Sequence, residues 1–323
     1  MRSADQILSL INAYIDSLPY NRKPVSLYEP IRYVLSMGGK RLRPTLTLMA
    51  YALYKEDTER ALPTAIGLET YHNHTLLHDD LMDKADMRRG KPTVHKKWDE
   101  NTAILSGDTM LIMAFQHILR TDCHRLPEVL NLAARTMQEI CEGQQYDMNF
   151  ESRSDVREEE YIEMIRLKTS VLLACALKAG ALIADAPKED CEQLYQFGEK
   201  IGLAFQLQDD YLDCYGDPAV FGKQIGGDIC CAKKTFMLIN AFNRANEAQK
   251  AELNRLLNEV DERDEKVAGV LALYDELEIP ALCRERMETL YAEARRIFDS
   301  LPIAAERKQP LWNYAEKLLN RKK

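Results

Sequence analysis

Two acidic runs share one spacing: Asp79-Asp80-Leu81-Met82-Asp83 and Asp209-Asp210-Tyr211-Leu212-Asp213. Each closes a long apolar helical pattern, with Leu76 and Leu77 before the first run and Phe205 and Leu207 before the second. Residues three or four apart on a helix are neighbours, with Cβ atoms about 5–6 Å apart. Asp79 and Asp83 therefore share a face, with Asp80 in reach of Asp83. Three like charges at the negative end of a helix repel one another and call for a cation. Oxygen donors without His or Cys suit Mg²⁺, which bridges one or two carboxylates to substrate phosphates. One such run alone reads equally well as a solvated helix end. Two copies at corresponding ends point to metals and a polyphosphate.

Fixed positive charge lies close by in sequence. Gly38-Gly39-Lys40-Arg41-Leu42-Arg43-Pro44 sets three cations on a turn before a helix. Its glycines let backbone N–H groups approach an anion, and Arg can grip phosphate oxygens bidentately. Arg88-Arg89-Gly90-Lys91 follows the first acidic run, and Lys223 and Lys233 follow the second. The order acid, loop, base is thus repeated. No Ser, Cys or His forms a convincing nucleophilic triad. The eight cysteines are scattered with no C-x-x-C pair, which excludes a zinc site or a disulfide framework and suits reduced thiols in a cytoplasmic protein.

The elements that position these groups are helices. Of 323 residues 46% are apolar, yet only 14 are Gly and 12 Pro, too few turn formers for a β-sandwich or barrel. Ser3 and Gln6 form a capping box for a first helix with Ile7, Leu8, Ile11 and Ile15 on one stripe. Pro24 and Pro30 bracket the start of a second helix, stopped by Gly38-Gly39. Helical patterns follow at 44–55, 61–84, 101–120, 127–150, 156–184 and 188–215, with Asp155 and Glu158 as a further box-like start. The stretch from Gly216 to Gly227 reads as a loop. The longest apolar stretch, Val171 to Ala184, holds Lys178 and is too short for a bilayer. A net charge of 43 − 51 = −8 argues against a general nucleic-acid binder. One nearly all-α domain over 1–323 is the expectation.

The sequence resembles the all-trans isoprenyl diphosphate synthases of the polyprenyl synthetase family, of the farnesyl or geranylgeranyl type. The residues that carry the resemblance are GGKRLRP (38–44), LLHDDLMDKADMRRGKPTVH (76–95), GQQYD (143–147), KTS (168–170), FQLQDDYLD (205–213) and GKQIGGD, with Lys233 and Thr235 beyond it. The resemblance implies an all-α bundle around a deep central cavity, the type I isoprenoid synthase fold, as a homodimer. It implies three Mg²⁺ per active site: Asp79, Asp80 and Asp83 holding two, and Asp209 the third with Asp210 and Asp213 in support. Arg88, Lys168, Lys223 and Lys233 would clasp an allylic diphosphate. Lys40, Arg43, His72 and Arg89 would hold isopentenyl diphosphate, and Thr169 and Gln206 would line the place where a carbocation forms. His78 and His95 receive no metal role.

By the same resemblance, the residue five before the first run sets product length, with aromatic residues giving short products and Ala long ones. Here it is His74, with Tyr71 on the same face; they lie roughly 7.5 and 12 Å back from Asp79 along a helix. Products of C15 to C20 are the expectation. A hydrogen-bonded core histidine is the plain alternative for His74. Three rivals fit less well. A class I terpene cyclase has no use for GGKRLRP beside an intact DDYLD, and a regulatory subunit tends to lose Asp residues that this chain keeps. A helical scaffold leaves the paired clusters unexplained.

Overall fold

The computed structural model describes residues 2–217 and 225–319. Lys223 and the basic end at 321–323 lie outside the described residues. The chain is all-α. Helix α1 (Ala4–Asp16) opens on the Ser3/Gln6 capping box, and Ile7, Ile11 and Ile15 are its buried face. Helix α2 (Val25–Ser36) follows Pro24 and runs through Pro30, whose ring takes away one intrahelical bond without ending the helix. Gly38 and Gly39, at φ +75° and +131°, then turn the chain in a way L side chains resist. Arg41, itself at φ +47°, caps α3 (Leu42–Ala52).

Helix α4 (Leu62–Met82) carries the first acidic run at its end, with Asp83 as C-cap. A two-residue hairpin, Met87–Arg88 with Lys91–Pro92, supplies the strands seen among the described residues. There follow α5 (Val94–Lys97), α6 (Glu100–Ile118), α7 (Leu126–Glu151) and α8 (Glu158–Ile165). The pattern predicted as one helix over 156–184 is broken. A π-turn at Arg166–Ser170 separates α8 from α9 (Val171–Ile183), an insertion that apolar periodicity does not reveal. The box-like start also moves: Glu160 accepts the N–H of Arg157 at 3.0 Å, while Asp155 pairs with Arg153 at 2.8 Å. Helix α10 (Lys188–Tyr215) carries the second acidic run, and α11 (Gly227–Cys230) to α16 (Ala305–Leu319) complete the chain. Among the described residues no helix is long and apolar enough to cross a membrane.

Two compact units are formed. The first comprises Met1–Arg135, Cys175–Tyr195 and Pro302–Trp312; the second Thr136–Ala174, Gln196–Leu301 and Asn313–Lys323. In the first, α4 and α6 pack closely because neither has a side chain where the backbones meet. A Cβ on Gly67 would lie 2.7 Å from Ile118, and one on Gly107 2.1 Å from the His78 ring. In the second, Leu207, Met237, Leu253, Val270, Ile279 and Cys283 are fully buried around the inner face of α10.

Candidate active site

In the first unit, the GGKRLRP turn and the hairpin loop meet. Arg89 donates to the carbonyl of Gly38, and its guanidinium lies against Gly39, where a Cβ would be 2.7 Å away. Glycine is favoured there by the turn, at φ +131°, while the Arg89 end could shift to admit a side chain. Arg88 reaches back to the helix end: its Nε donates to both oxygens of Asp80 at 2.8 Å, and Nη2 lies 3.6 Å from Asp79. A fixed cation thus answers the charge crowding of the first acidic run. Asp80 is buried, which raises its pKa, while Asp83 is exposed.

Arg43 and His72 complete this cluster. Burial brings the Arg43 guanidinium down to about 10, so it stays charged at neutral pH. Loss of water, with Arg43, Arg89, Arg88 and Arg41 around it, holds His72 well below the ordinary imidazole range. His72 is therefore a neutral hydrogen-bonding group among cations. Lys40 sits exposed on the turn. Of the sequence-predicted residues, Lys40, Arg43, His72, Asp79, Asp80, Asp83, Arg88 and Arg89 all belong to this unit.

In the second unit, the π-turn places Lys168 and Thr169. Two glycines let neighbouring helices grip it: a Cβ on Gly143 would lie 2.3 Å from the Lys168 nitrogen, and one on Gly202 2.5 Å from the Ser170 Cα. Lys168 Nζ bonds Asp147 at 2.7 Å, and Lys233 lies 3.9 Å from the same oxygen. Thr169 donates to Gln206 Oε1 at 3.3 Å, and Gln206 Nε2 donates to Asp210 at 3.3 Å, which fixes the amide orientation.

The second acidic run is wired into its unit. Asp210 also accepts from the Tyr161 hydroxyl and, at 3.4 Å, from the backbone N–H of Phe236. Burial pushes its pKa up to about 7. Asp213 accepts the N–H of Asp228 at 2.9 Å. Asp209 is partly exposed on the same helix.

Sequence reasoning left three participants without a role. Asp147 closes the GQQYD segment, and its position four residues beyond Gly143 was the available signal. Glu69, 2% exposed and paired with Arg41 at 2.8 Å, is a lone acid in the apolar run of α4. Tyr161 gave no signal, since its partner lies 49 positions away.

The proposed length determinants are both buried. Tyr71 is 1% exposed, and its ring centroid is 5.5 Å from that of His74. His74 donates from Nδ1 to the carbonyl of Gly107 at 2.9 Å and packs against His78. Burial and His78 bring its pKa down to about 4, so the ring is neutral. This is the geometry of a hydrogen-bonded core histidine.

Among the described residues, no group of three or more His, Cys, Asp or Glu side chains is arranged to hold a metal by itself. The donors that converge are carboxylates beside phosphate-seeking cations, the set that fits Mg²⁺ shared with a substrate phosphate.

The family model for polyprenyl synthetase matches residues 24–274. The chain is 43% identical to a geranylgeranyl diphosphate synthase of Methanosarcina mazei, over 73% of this chain and 74% of that one. It is 38% identical to a geranylfarnesyl diphosphate synthase of Natronomonas pharaonis over 99% of both. A crystal structure of a geranylgeranyl pyrophosphate synthase superposes with a TM-score of 0.94 at 41% identity, covering all of both chains. The chain belongs to the polyprenyl synthetase family and is a prenyltransferase.

Proposed function

We propose that the protein condenses isopentenyl diphosphate head-to-tail with an allylic diphosphate, releasing pyrophosphate and giving C15 to C20 prenyl diphosphates. The observation that carries this reading is that each acidic run stands in its own unit with phosphate-seeking cations. These are Arg88 across Asp79 and Asp80 in one unit, and Lys168 with Lys233 in the unit of Asp209. Names of the relatives agree with it.

In this reading residues 1–323 act as one polyprenyl synthetase domain, and both runs serve one allylic diphosphate. Mg²⁺, three ions per site, would be held by Asp79, Asp80, Asp83 and Asp209 and would supply positive charge to the departing diphosphate. Arg88, Lys168 and Lys233 neutralise the same oxygens as the allylic C–O bond breaks. Lys223 belongs to this set by motif. The resulting cation lies by Thr169 and Gln206, whose oxygens present negative dipoles. Lys40, Arg43, Arg89 and neutral His72 hold isopentenyl diphosphate so that its double bond attacks. A new C–C bond forms, and the proton lost passes to the released pyrophosphate. Asp210 and Asp213 act in support, by holding α10 in place.

The tail of the product extends along α4 toward His74 and Tyr71, which limit it. A cytoplasmic homodimer is part of the reading. Its support is the exposed apolar side chains Leu105 and Ile112 on α6 and Leu119 at its C-cap, 59%, 59% and 56% exposed.

The test is to incubate the protein with Mg²⁺, isopentenyl diphosphate and each of the C5, C10 and C15 starters, and to weigh the products. Products ending at C15 or C20 are expected. Products of C30 or more keep the reaction and remove His74 and Tyr71 as the floor, and no elongation favours a regulatory subunit.

A further inference from the structure

We infer that Glu69 is a positioning residue, the buried counter-charge that keeps the arginines of the first unit assembled as a cup for isopentenyl diphosphate. The substrate named here rests on the prenyl-transfer reading above. Arg41, Arg43, Arg88 and Arg89 all lie near enough to His72 to add to the loss of water that depresses it. Arg88 is answered by Asp79 and Asp80. The other three have Glu69. Its Oε1 takes Arg41 at 2.8 Å, and its charge favours the ionised forms of Arg43 and Arg89 against their loss of water.

Arg41 itself is unavailable to a substrate. It is 4% exposed, and its guanidinium donates to Glu69, to the Leu35 carbonyl at 2.6 Å and to Asn12 at 3.4 Å. What Arg41 does is fix the turn. It is the left-handed N-cap from which Arg43 enters α3 and beside which Lys40 stands. Asn73, one helical turn after Glu69, donates to Oε1 at 3.1 Å and to the Glu69 carbonyl at 2.8 Å, which holds the carboxylate on the inner side of α4.

The polar atoms are not all paired. Glu69 Oε2, Asn73 Oδ1 and Arg43 Nε are buried without a hydrogen-bond partner. A purely structural ion pair gains nothing from such orphans, which folding penalises. Of the three only Arg43 Nε is a donor, the kind of group that a cup for an anion keeps unspent; the two acceptors cannot bind an anion. One carboxylate against three guanidiniums leaves the excess positive charge that a diphosphate meets.

The experiment is calorimetric binding of isopentenyl diphosphate, which needs no turnover, together with steady-state kinetics. Glu69→Gln is expected to weaken isopentenyl diphosphate binding and raise its KM at least tenfold, with kcat changed less than about threefold and the allylic KM unchanged. Arg41→Met/Glu69→Leu replaces the buried pair by apolar groups, a change that buried ion pairs often tolerate. This double variant is expected to recover the thermal stability lost in Glu69→Gln yet keep the tenfold weaker binding, and it carries the test if Glu69→Gln does not fold. Binding that recovers together with stability, or wild-type binding by Glu69→Gln, overturns the inference. Wild-type protein that binds isopentenyl diphosphate but forms no product overturns the reaction reading and leaves the role of Glu69 measurable.

Discussion

The two acidic runs have the same spacing and opposite surroundings. At the end of α4, the carboxylates of Asp79 and Asp80 are met by a side-chain cation, Arg88, from a hairpin loop. Near the end of α10, Asp210 and Asp213 are met by a phenol, an amide and two backbone N–H groups. A guanidinium on a loop can exchange its carboxylate for a phosphate at modest cost, which frees the carboxylate for a cation. Donors built into helices cannot. The first run is thus held by a partner that a phosphate could displace, and in the second run two of the three carboxylates hold the helix to the 226–236 segment. The Asp-rich motif does not by itself say which carboxylates are ligands.

The largest effect that follows is on turnover. Asp79→Asn and Asp209→Asn should each lower kcat about 10³-fold, roughly 4 kcal/mol of lost charge stabilisation. Asp213→Asn, which keeps an acceptor for the Asp228 N–H, should cost less than tenfold and show mainly in the melting temperature. Equal losses at Asp209 and Asp213 would erase the distinction drawn within the second run.

Next in size is the backbone grip on the π-turn. Gly143→Ala puts a methyl where the Lys168 backbone lies, and should lower kcat at least thirtyfold while destabilising by about 1–3 kcal/mol. An unchanged rate would show that the grip does not set Lys168. In the first unit, Arg89→Ala should raise the KM for isopentenyl diphosphate about tenfold and leave the allylic KM alone; the reverse pattern would exchange the two substrate assignments. His74→Ala should lengthen the main product by one or two C5 units, read by mass spectrometry, and an unchanged product would move the floor elsewhere.

A last effect is the pH dependence that His117 contributes in the first unit. His117 is 4% exposed on α6, and burial brings its pKa down to about 4. The unfolded ring takes a proton near pH 6.5 and the folded ring does not, so the stabilisation is complete above pH 6.5 and is lost as pH falls toward 4. At 1.36 kcal/mol per unit this amounts to about 3 kcal/mol. His117→Gln should flatten the fall of stability between those pH values relative to wild type; parallel curves would contradict the assignment.

Much of this was legible in the chain. The apolar pattern gave α4, α6, α7 and α10 to within two residues, α4 because it is buried on nearly every side. The capping box at Ser3 was local and readable, whereas the one near α8 was misplaced by two residues because Arg153 competes for Asp155. The π-turn at 166–170 was hidden, since an inserted residue leaves the apolar composition unchanged. Residues defined by their own chemistry, the Asp runs and the basic turns, were found. Those defined by a partner far along the chain, Tyr161 with Asp210, Asp147 with two lysines and Glu69 with Arg41, were not: the GQQYD segment and a lone acid in an apolar run mark Asp147 and Glu69 without naming their partners, and Tyr161 has no local mark at all.

The proposed reaction requires Asp79 and Asp209 both to bear on binding of the allylic diphosphate. The direct measurement is calorimetric binding, with Mg²⁺, of an allylic thiolodiphosphate that cannot ionise, to wild type, Asp79→Asn and Asp209→Asn. Each single change is expected to weaken binding at least tenfold, because each run bears on the same ligand. Full-strength binding with either run removed would contradict it.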